Sequence, residues 1–368
     1  MRLAKSLLLA STILAASSMA ARADVNVVAS IKPVHSLVAA VMQGVGTPGL
    51  IVEGAGSPHT YALKPSQAQM LEKADVVFWI GHEMEAFLEK PLETIAANAK
   101  SVELIDAHDL VKLDFREGGA FEKHGHDDHD DHDGHAHEAD HDNHDHEETA
   151  EAGHDHDHEA EAEHDHDNAA AHDHEETAEA EHHHEHDDED HHAHDAFDAH
   201  VWLDPVNAKA MVHEIEEALA AADPENADKY EANAEAVMNE LDALVAEISA
   251  DLEPVWSKGF IVFHDAYQYF ENRFGVTAAG SITVSPEVMP GAERVSEIRA
   301  KVKELGAACV FAEPQFEPKL VSTVTEGTSA KSGVLDPLGS ALSDGPELYS
   351  DLIRNMAASI KSCLAEAS

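Results

Sequence analysis

Of the chain's 30 histidines, seven stand outside one dense tract, and three of the seven share a context. His59 follows an apolar run in Ser57-Pro58-His59-Thr60-Tyr61. His200 opens His200-Val201-Trp202-Leu203-Asp204-Pro205, and His264 closes Phe260-Ile261-Val262-Phe263-His264. Asp336, in Leu335-Asp336-Pro337-Leu338-Gly339, holds the matching place after a later apolar run. In an open parallel sheet the carboxyl ends of strands line the ligand crevice, so these side chains could converge. Three imidazoles and one carboxylate make a tetrahedral zinc set, with Zn–N distances near ~2.0–2.1 Å. A single strand-end His is more often a hydrogen-bonded loop residue, and spacing alone leaves both readings open.

The other 23 His lie between His124 and Asp195, among 30 Asp or Glu and no Lys or Arg. With no large apolar side chains and strong self-repulsion, such a tract cannot offset the entropy of folding and is expected to be disordered without a ligand. Runs such as His154-Asp155-His156-Asp157-His158 can chelate zinc in many registers, which implies additional, weak zinc ions rather than one defined cage. The unit HDHEETAEA occurs at 144–152 and again at 172–180, which points to duplication. The alternative is an acidic solvated linker.

The elements that would position the ordered residues read as α/β. Before the tract, strands are expected at Val25–Ile31, Gly49–Val52, Asp75–Gly81 and Val102–Ile105, separated by helices. After it, Asp204 can cap a helix from Pro205 to about Ala222. A long helix follows from Pro224 to Leu252, with Tyr230, Ala234, Val237, Leu241, Leu244, Ile248 and Leu252 stepping by three or four on one buried stripe. Alternation resumes with strands Phe260–Phe263, Ala279–Val284, Cys309–Phe311 and Gly333–Leu335. The expected fold is two (β/α) domains with mainly parallel sheets, 24–222 and 254–368, joined by a rigid backbone helix at 223–253, with the site in the cleft between them. The His-rich insertion occupies about 119–197.

The formal net charge is −50, of which the tract supplies about −30. That sign disfavours nucleic acid and anionic membranes as partners and favours a cationic ligand. Arg2 and Lys5, the apolar run from Leu7 to Ala16 and Ala21-Arg22-Ala23 form a secretory signal ending at residue 23. A monomer in a bacterial periplasm is the expected state. In that oxidising compartment Cys309 and Cys363 most simply form one disulfide, two free buried thiols being the alternative.

The segments around His59 (through Ser66), His200 and Asp336, with Phe263-His264-Asp265-Ala266-Tyr267 and Glu313-Pro314-Gln315-Phe316, together resemble the ZnuA-type zinc-binding proteins of bacterial ABC uptake systems. The resemblance runs from about Val25 to Leu364 apart from the tract. It implies a metal site in the cleft with His59, His200 and His264 as ligands, a disulfide matching Cys309 with Cys363, and a permease partner at the inner membrane. Related manganese proteins carry Glu where His264 stands, which points this chain to zinc. Some zinc members have Glu just before the first His. Here that residue is Pro58, which leaves Asp336 or a water, with Asp336 favoured.

Of the remaining candidates, His35 is expected at a helix cap or surface, and His108 and His213 in solvent. His82 stands at another strand end and could meet the tract or a second metal. Glu313 is expected to hydrogen-bond rather than ligate, and Trp202 and Phe263 to pack around the site. Outside the tract neither a Walker-type phosphate-binding loop nor HExxH occurs. The expected role is therefore a non-enzymatic zinc receptor; the rivals are a zinc hydrolase and a periplasmic metal buffer or adhesin.

Overall fold

Two four-stranded parallel sheets built on the same plan organise the computed structural model, which describes residues 25–116, 121, 197–283, 290–304, 306, 308–316 and 319–365. The signal segment expected at residues 1–23, the His-rich tract and the weak zinc sites expected on it lie outside the described residues.

The first sheet has the order β2-β1-β3-β4, with β1 at Val27–Ala29, β2 at Gly49–Leu50, β3 at Val76–Trp79 and β4 at Lys100–Glu103. The chain between them forms α1 (Lys32–Val41), α2 (Pro65–Glu72) and α3 (Ala86–Thr94). β3 is Val-Val-Phe-Trp, buried at every position, because a parallel strand covered on both faces has no solvent side on which to alternate. β4 starts two residues earlier than expected, and Leu104–Asp106 forms a 3-10 turn instead.

Beyond the insertion, α4 (Pro205–Ala222) begins on Asp204, whose carboxylate accepts from Val206 N at 2.8 Å. A 3-10 turn at Pro224–Asn226 then leads into α5 (Ala227–Leu252). The expected stripe of α5 is buried except at Val237, which is partly covered. α5 packs against α1 and α4 before it in the chain and against α6 and α9 after it.

The second sheet repeats the order as β6-β5-β7-β8, with β5 at Phe260–His264, β6 at Ala278–Thr283, β7 at Cys309–Ala312 and β8 at Lys331–Val334. Its helices are α6 (Gln268–Phe274), α7 (Ala292–Glu304), α8 (Lys319–Thr325) and α9 (Leu348–Ala365). Alternation along the strands separates two faces: Phe260 and Val262 join the main core, while Ile261, Phe263 and Val310 join a second apolar cluster with Ile298 and Val324. Cys309 at the start of β7 is bonded to Cys363 in α9.

Contacts between the halves are specific. Lys32, at the start of α1 and 4% exposed, donates to Leu342 O at 2.7 Å and pairs with Asp344 at 3.1 Å. Four residues on, Ser36 Oγ donates to Pro346 O at 3.0 Å and accepts from Tyr349 N at 2.9 Å. The chain departs for the insertion and returns from it at one point: Asp114 and Phe197 form an antiparallel bridge, and Asp198 N donates to Leu113 O at 2.8 Å.

Candidate metal centre

His59, His200 and His264 come together, each offering a ring nitrogen within 4.8 Å of the others; among the described residues they form the one such group of metal-binding side chains. Each arrives by a different local device. His59 sits in a 3-10 turn, Pro58–Thr60, beyond β2. His200 stands just before the turn Val201–Leu203, where Trp202, buried and bonded through Nε1 to Pro337 O at 2.9 Å, packs its ring 5.3 Å from the imidazole. His264 is the last residue of β5, on the same face as Phe260 and Val262.

The sheet register explains the partner of His264. β5 pairs with β7 as Phe260↔Cys309 and Ile261↔Val310. Extending that offset to the strand ends brings Glu313 opposite His264, and Glu313 Oε1 accepts from His264 Nδ1 at 2.7 Å and from its backbone N at 3.3 Å. His200 repeats the arrangement within the chain: Asp198 Oδ1 accepts from its Nδ1 at 2.7 Å and its N at 3.0 Å. When ionised, each carboxylate can only accept, which places the proton of both rings on Nδ1 and turns the Nε2 lone pair inward.

Those inward atoms, His200 Nε2 and His264 Nε2, are 3.3 Å apart. Two nitrogens bound to one tetrahedral zinc at ~2.0–2.1 Å stand about 3.3 Å from each other. Without a shared cation or proton, facing lone pairs at that distance repel. The site is built to hold a charge between them.

Electrostatics sort the three imidazoles. Burial, and then the other two rings, hold His59 well below its ordinary value; burial and His264 do the same to His200, against the pull of Asp265. For His264 burial is again the largest influence and opposes protonation, yet the Glu313 carboxylate and its hydrogen bond carry it upward. Burial pushes the Asp198 carboxyl up to about 7 against the His200 amide and the Arg116 charge. A divalent cation shared by the three imidazoles would favour the ionised form of Asp198.

Arg116, the last described residue before 121, reaches this region. It donates through Nη2 and Nε to Asp265, the neighbour of His264, and through Nη1 and Nη2 to Glu271 at 2.8 and 3.0 Å. Tyr269 on α6 accepts from Leu113 N at 3.0 Å and donates to Asp198 O at 2.6 Å. The base of the insertion is therefore bonded to Asp198, which orients the His200 imidazole, and to Asp265, the chain neighbour of His264.

Asp336, expected with water as the alternative for the fourth ligand position, is not among the grouped side chains. Gly339, at φ 66°, turns the chain so that Ser340 N and Oγ reach Asp336 Oδ2 at 2.6 and 2.7 Å, while Leu338 N and Gln315 Nε2 donate to Oδ1 at 3.2 and 2.9 Å. Four donors occupy its oxygens. His35 also differs from expectation: it is 6% exposed, with Nε2 3.1 Å from Pro48 O, because α1 is buried along most of its length. His82 lies 3.3 Å from Glu83, away from the three imidazoles, and His108 and His213 are exposed. Phe263 packs in the second apolar cluster, stacked on Phe316 at 5.0 Å, and the Phe316 ring lies 6.1 Å from that of His264. Asp198, Arg116 and Gln315 were not singled out from sequence. Asp198 has the signal Asp-x-His, but it adjoins a tract in which that pattern is everywhere.

Comparison with known proteins agrees with this architecture. Residues 27–363 match the family model described as ZnuA, zinc-uptake complex component A, periplasmic. The chain is 55% identical over 365 residues to the high-affinity zinc uptake system protein ZnuA of Brucella suis, covering 98% of each chain. It is 36% identical over 342 residues to the protein of the same name from Yersinia pestis, covering 93% of this chain and 92% of that one. Among solved structures, a ZnuA crystal structure superposes with a TM-score of 0.67 at 22% identity, over 93% of this chain and all of that one. The chain belongs to the ZnuA family of periplasmic zinc-uptake components.

Proposed function

We propose that the protein is the periplasmic zinc receptor of an ABC importer: His59, His200 and His264 capture Zn2+, and the loaded protein delivers it to a membrane permease. The observation that carries this reading is the 3.3 Å approach of two Nε2 atoms whose rings have both spent their Nδ1 protons on buried carboxylates. Residues 1–23 direct export, 24–222 and 254–368 form the two lobes, and 223–253 joins them as a monomer. The tract collects further zinc weakly and supplies the cleft by mass action.

Binding rather than turnover is supported by the placement of the acids. A zinc hydrolase needs a base free to take a proton from metal-bound water, whereas Asp198 and Glu313 are engaged at the far side of the ligand rings. The test is calorimetric titration of zinc into the full chain, a chain lacking Lys123 to Asp195, and His59→Ala in that shortened chain. One tight site should survive loss of the tract and disappear with His59→Ala. Loss of all tight binding on removing the tract would refute the ordered site.

A further inference from the structure

Gln315 lines the same small void as His59, His200 and His264, and that void measures about 10 Å³, the scale of one ion or water. Its amide orientation is dictated by chemistry rather than choice. Asp336 Oδ1 lies 2.9 Å away and can only accept, so the NH2 group must face it and the amide oxygen must turn to the other side. Asp336 cannot swing to accommodate the reverse, because Leu338 N, Ser340 N and Ser340 Oγ pin its two oxygens. The result is a Gln315 Oε1 that is shielded from solvent and accepts no hydrogen bond among the described residues. A buried amide oxygen left in that state is costly, and structures keep one where a ligand or water satisfies it.

We propose that Gln315 completes the zinc site by accepting a hydrogen bond from a water in the fourth corner of the tetrahedron, and that Asp336 is a positioning residue acting through Gln315. This rests on the three-imidazole reading and deepens it. The position next to His59 in the chain is Pro58, which offers no donor oxygen from its side chain, and the Asp336 oxygens are already held by four donors, so the fourth corner is left to solvent. A neutral acceptor suits a carrier. Water on a three-imidazole zinc ionises near neutral pH, and a carboxylate at this place would take the proton and leave a tightly held hydroxide. The amide oxygen orients the water without acting as its base, so the water remains an exchangeable ligand.

The test uses the full chain, in which the tract is common to all variants and cancels in difference spectra. Cobalt(II) reports coordination through its d–d bands, and competition with a chelator reports zinc affinity. Gln315→Leu should retain tetrahedral bands, shift their position and intensity, and weaken zinc binding about 5- to 10-fold, the worth of one hydrogen bond. Circular dichroism and the melting midpoint of metal-free Gln315→Leu should match wild type, as those of a merely damaged fold would not. If Gln315→Leu matches wild type in both its d–d bands and its zinc affinity, the proposal is overturned. It is equally overturned if Asp336→Ala abolishes the tetrahedral bands while Gln315→Leu leaves them, since Asp336 would then be the ligand itself. Absence of tetrahedral bands in the wild type would instead refute the three-imidazole reading.

Discussion

Replacing Glu313 by Gln isolates the electrostatic work done on His264. The Glu313 side chain is 1% exposed, and one of its oxygens accepts both the ring Nδ1–H at 2.7 Å and the backbone N–H at 3.3 Å. Gln keeps the shape and one acceptor but removes the charge. Changing such a supporting partner typically costs 10–100-fold in metal affinity, about 1.4–2.7 kcal/mol. The shape-conserving change should fall at the lower end near neutral pH and above. The sign of the pH dependence follows from the same contact. Glu313 raises the His264 imidazole above its ordinary value, and zinc must displace that proton from Nε2. Each pH unit below the titration of His264 therefore costs the wild type about tenfold in affinity. Without the Glu313 charge, burial prevails and the proton binds more weakly, so competition begins at lower pH in the variant. The wild-type advantage should be about tenfold at pH 8 and shrink toward pH 5.5, as read by chelator competition at several pH values with circular dichroism as a folding control. A ratio that stays constant with pH, or equal affinities at pH 8, would refute this account of the site.

Two further outcomes concern the scaffold. Glu85, fully buried, accepts from the Ser30 hydroxyl, Ile80 N and Gly81 N, and burial raises its carboxyl from 4.5 to about 7. Folding then takes up a proton between those values, so stability should fall as pH rises through that window, by up to about 3 kcal/mol above pH 7. Glu85→Gln should remove the slope, with urea midpoints higher than wild type at pH 8 and close to it at pH 5; a parallel shift at both pH values would contradict it. The Cys309–Cys363 bond spans a separation of 54 residues, for which chain entropy alone gives about 4 kcal/mol. Replacing both with Ala should lower stability on that order in denaturant melts while one zinc still binds, since Cys309 is the first residue of β7 and Glu313 follows its far end.

The three imidazoles were legible in sequence because each stands in a short motif at a strand end or turn, where position along the chain predicts position in the sheet. Asp336 obeyed the same rule, yet it is not among the three side chains that come together. Its role depends on Ser340 and Gln315, one four residues onward and the other on a different strand's loop, and nothing local announces that four donors converge on it. His35 looked exposed because it opens a helix, yet α1 packs against β1, α4, α5 and α9, so almost no face remains for solvent. The Arg116 contacts link residues about 150 positions apart across an insertion whose own composition conceals its flanks. Strand identity is a local property, whereas the contact of Glu313 with His264 is set by register between strands, which composition does not encode.

The bridge at Asp114 and Phe197 makes the insertion point a closed collar: the chain leaves and returns at neighbouring residues bonded to one another and to Tyr269. Doubling the length of a flexible loop between such fixed ends costs only about 0.6 kcal/mol. The scaffold is therefore nearly indifferent to how much chain is threaded through the collar. Slippage of a repeated gene segment can lengthen or shorten it at a cost of that small order, and the same place is the natural graft site for a fluorescent domain in a zinc-reporting fusion.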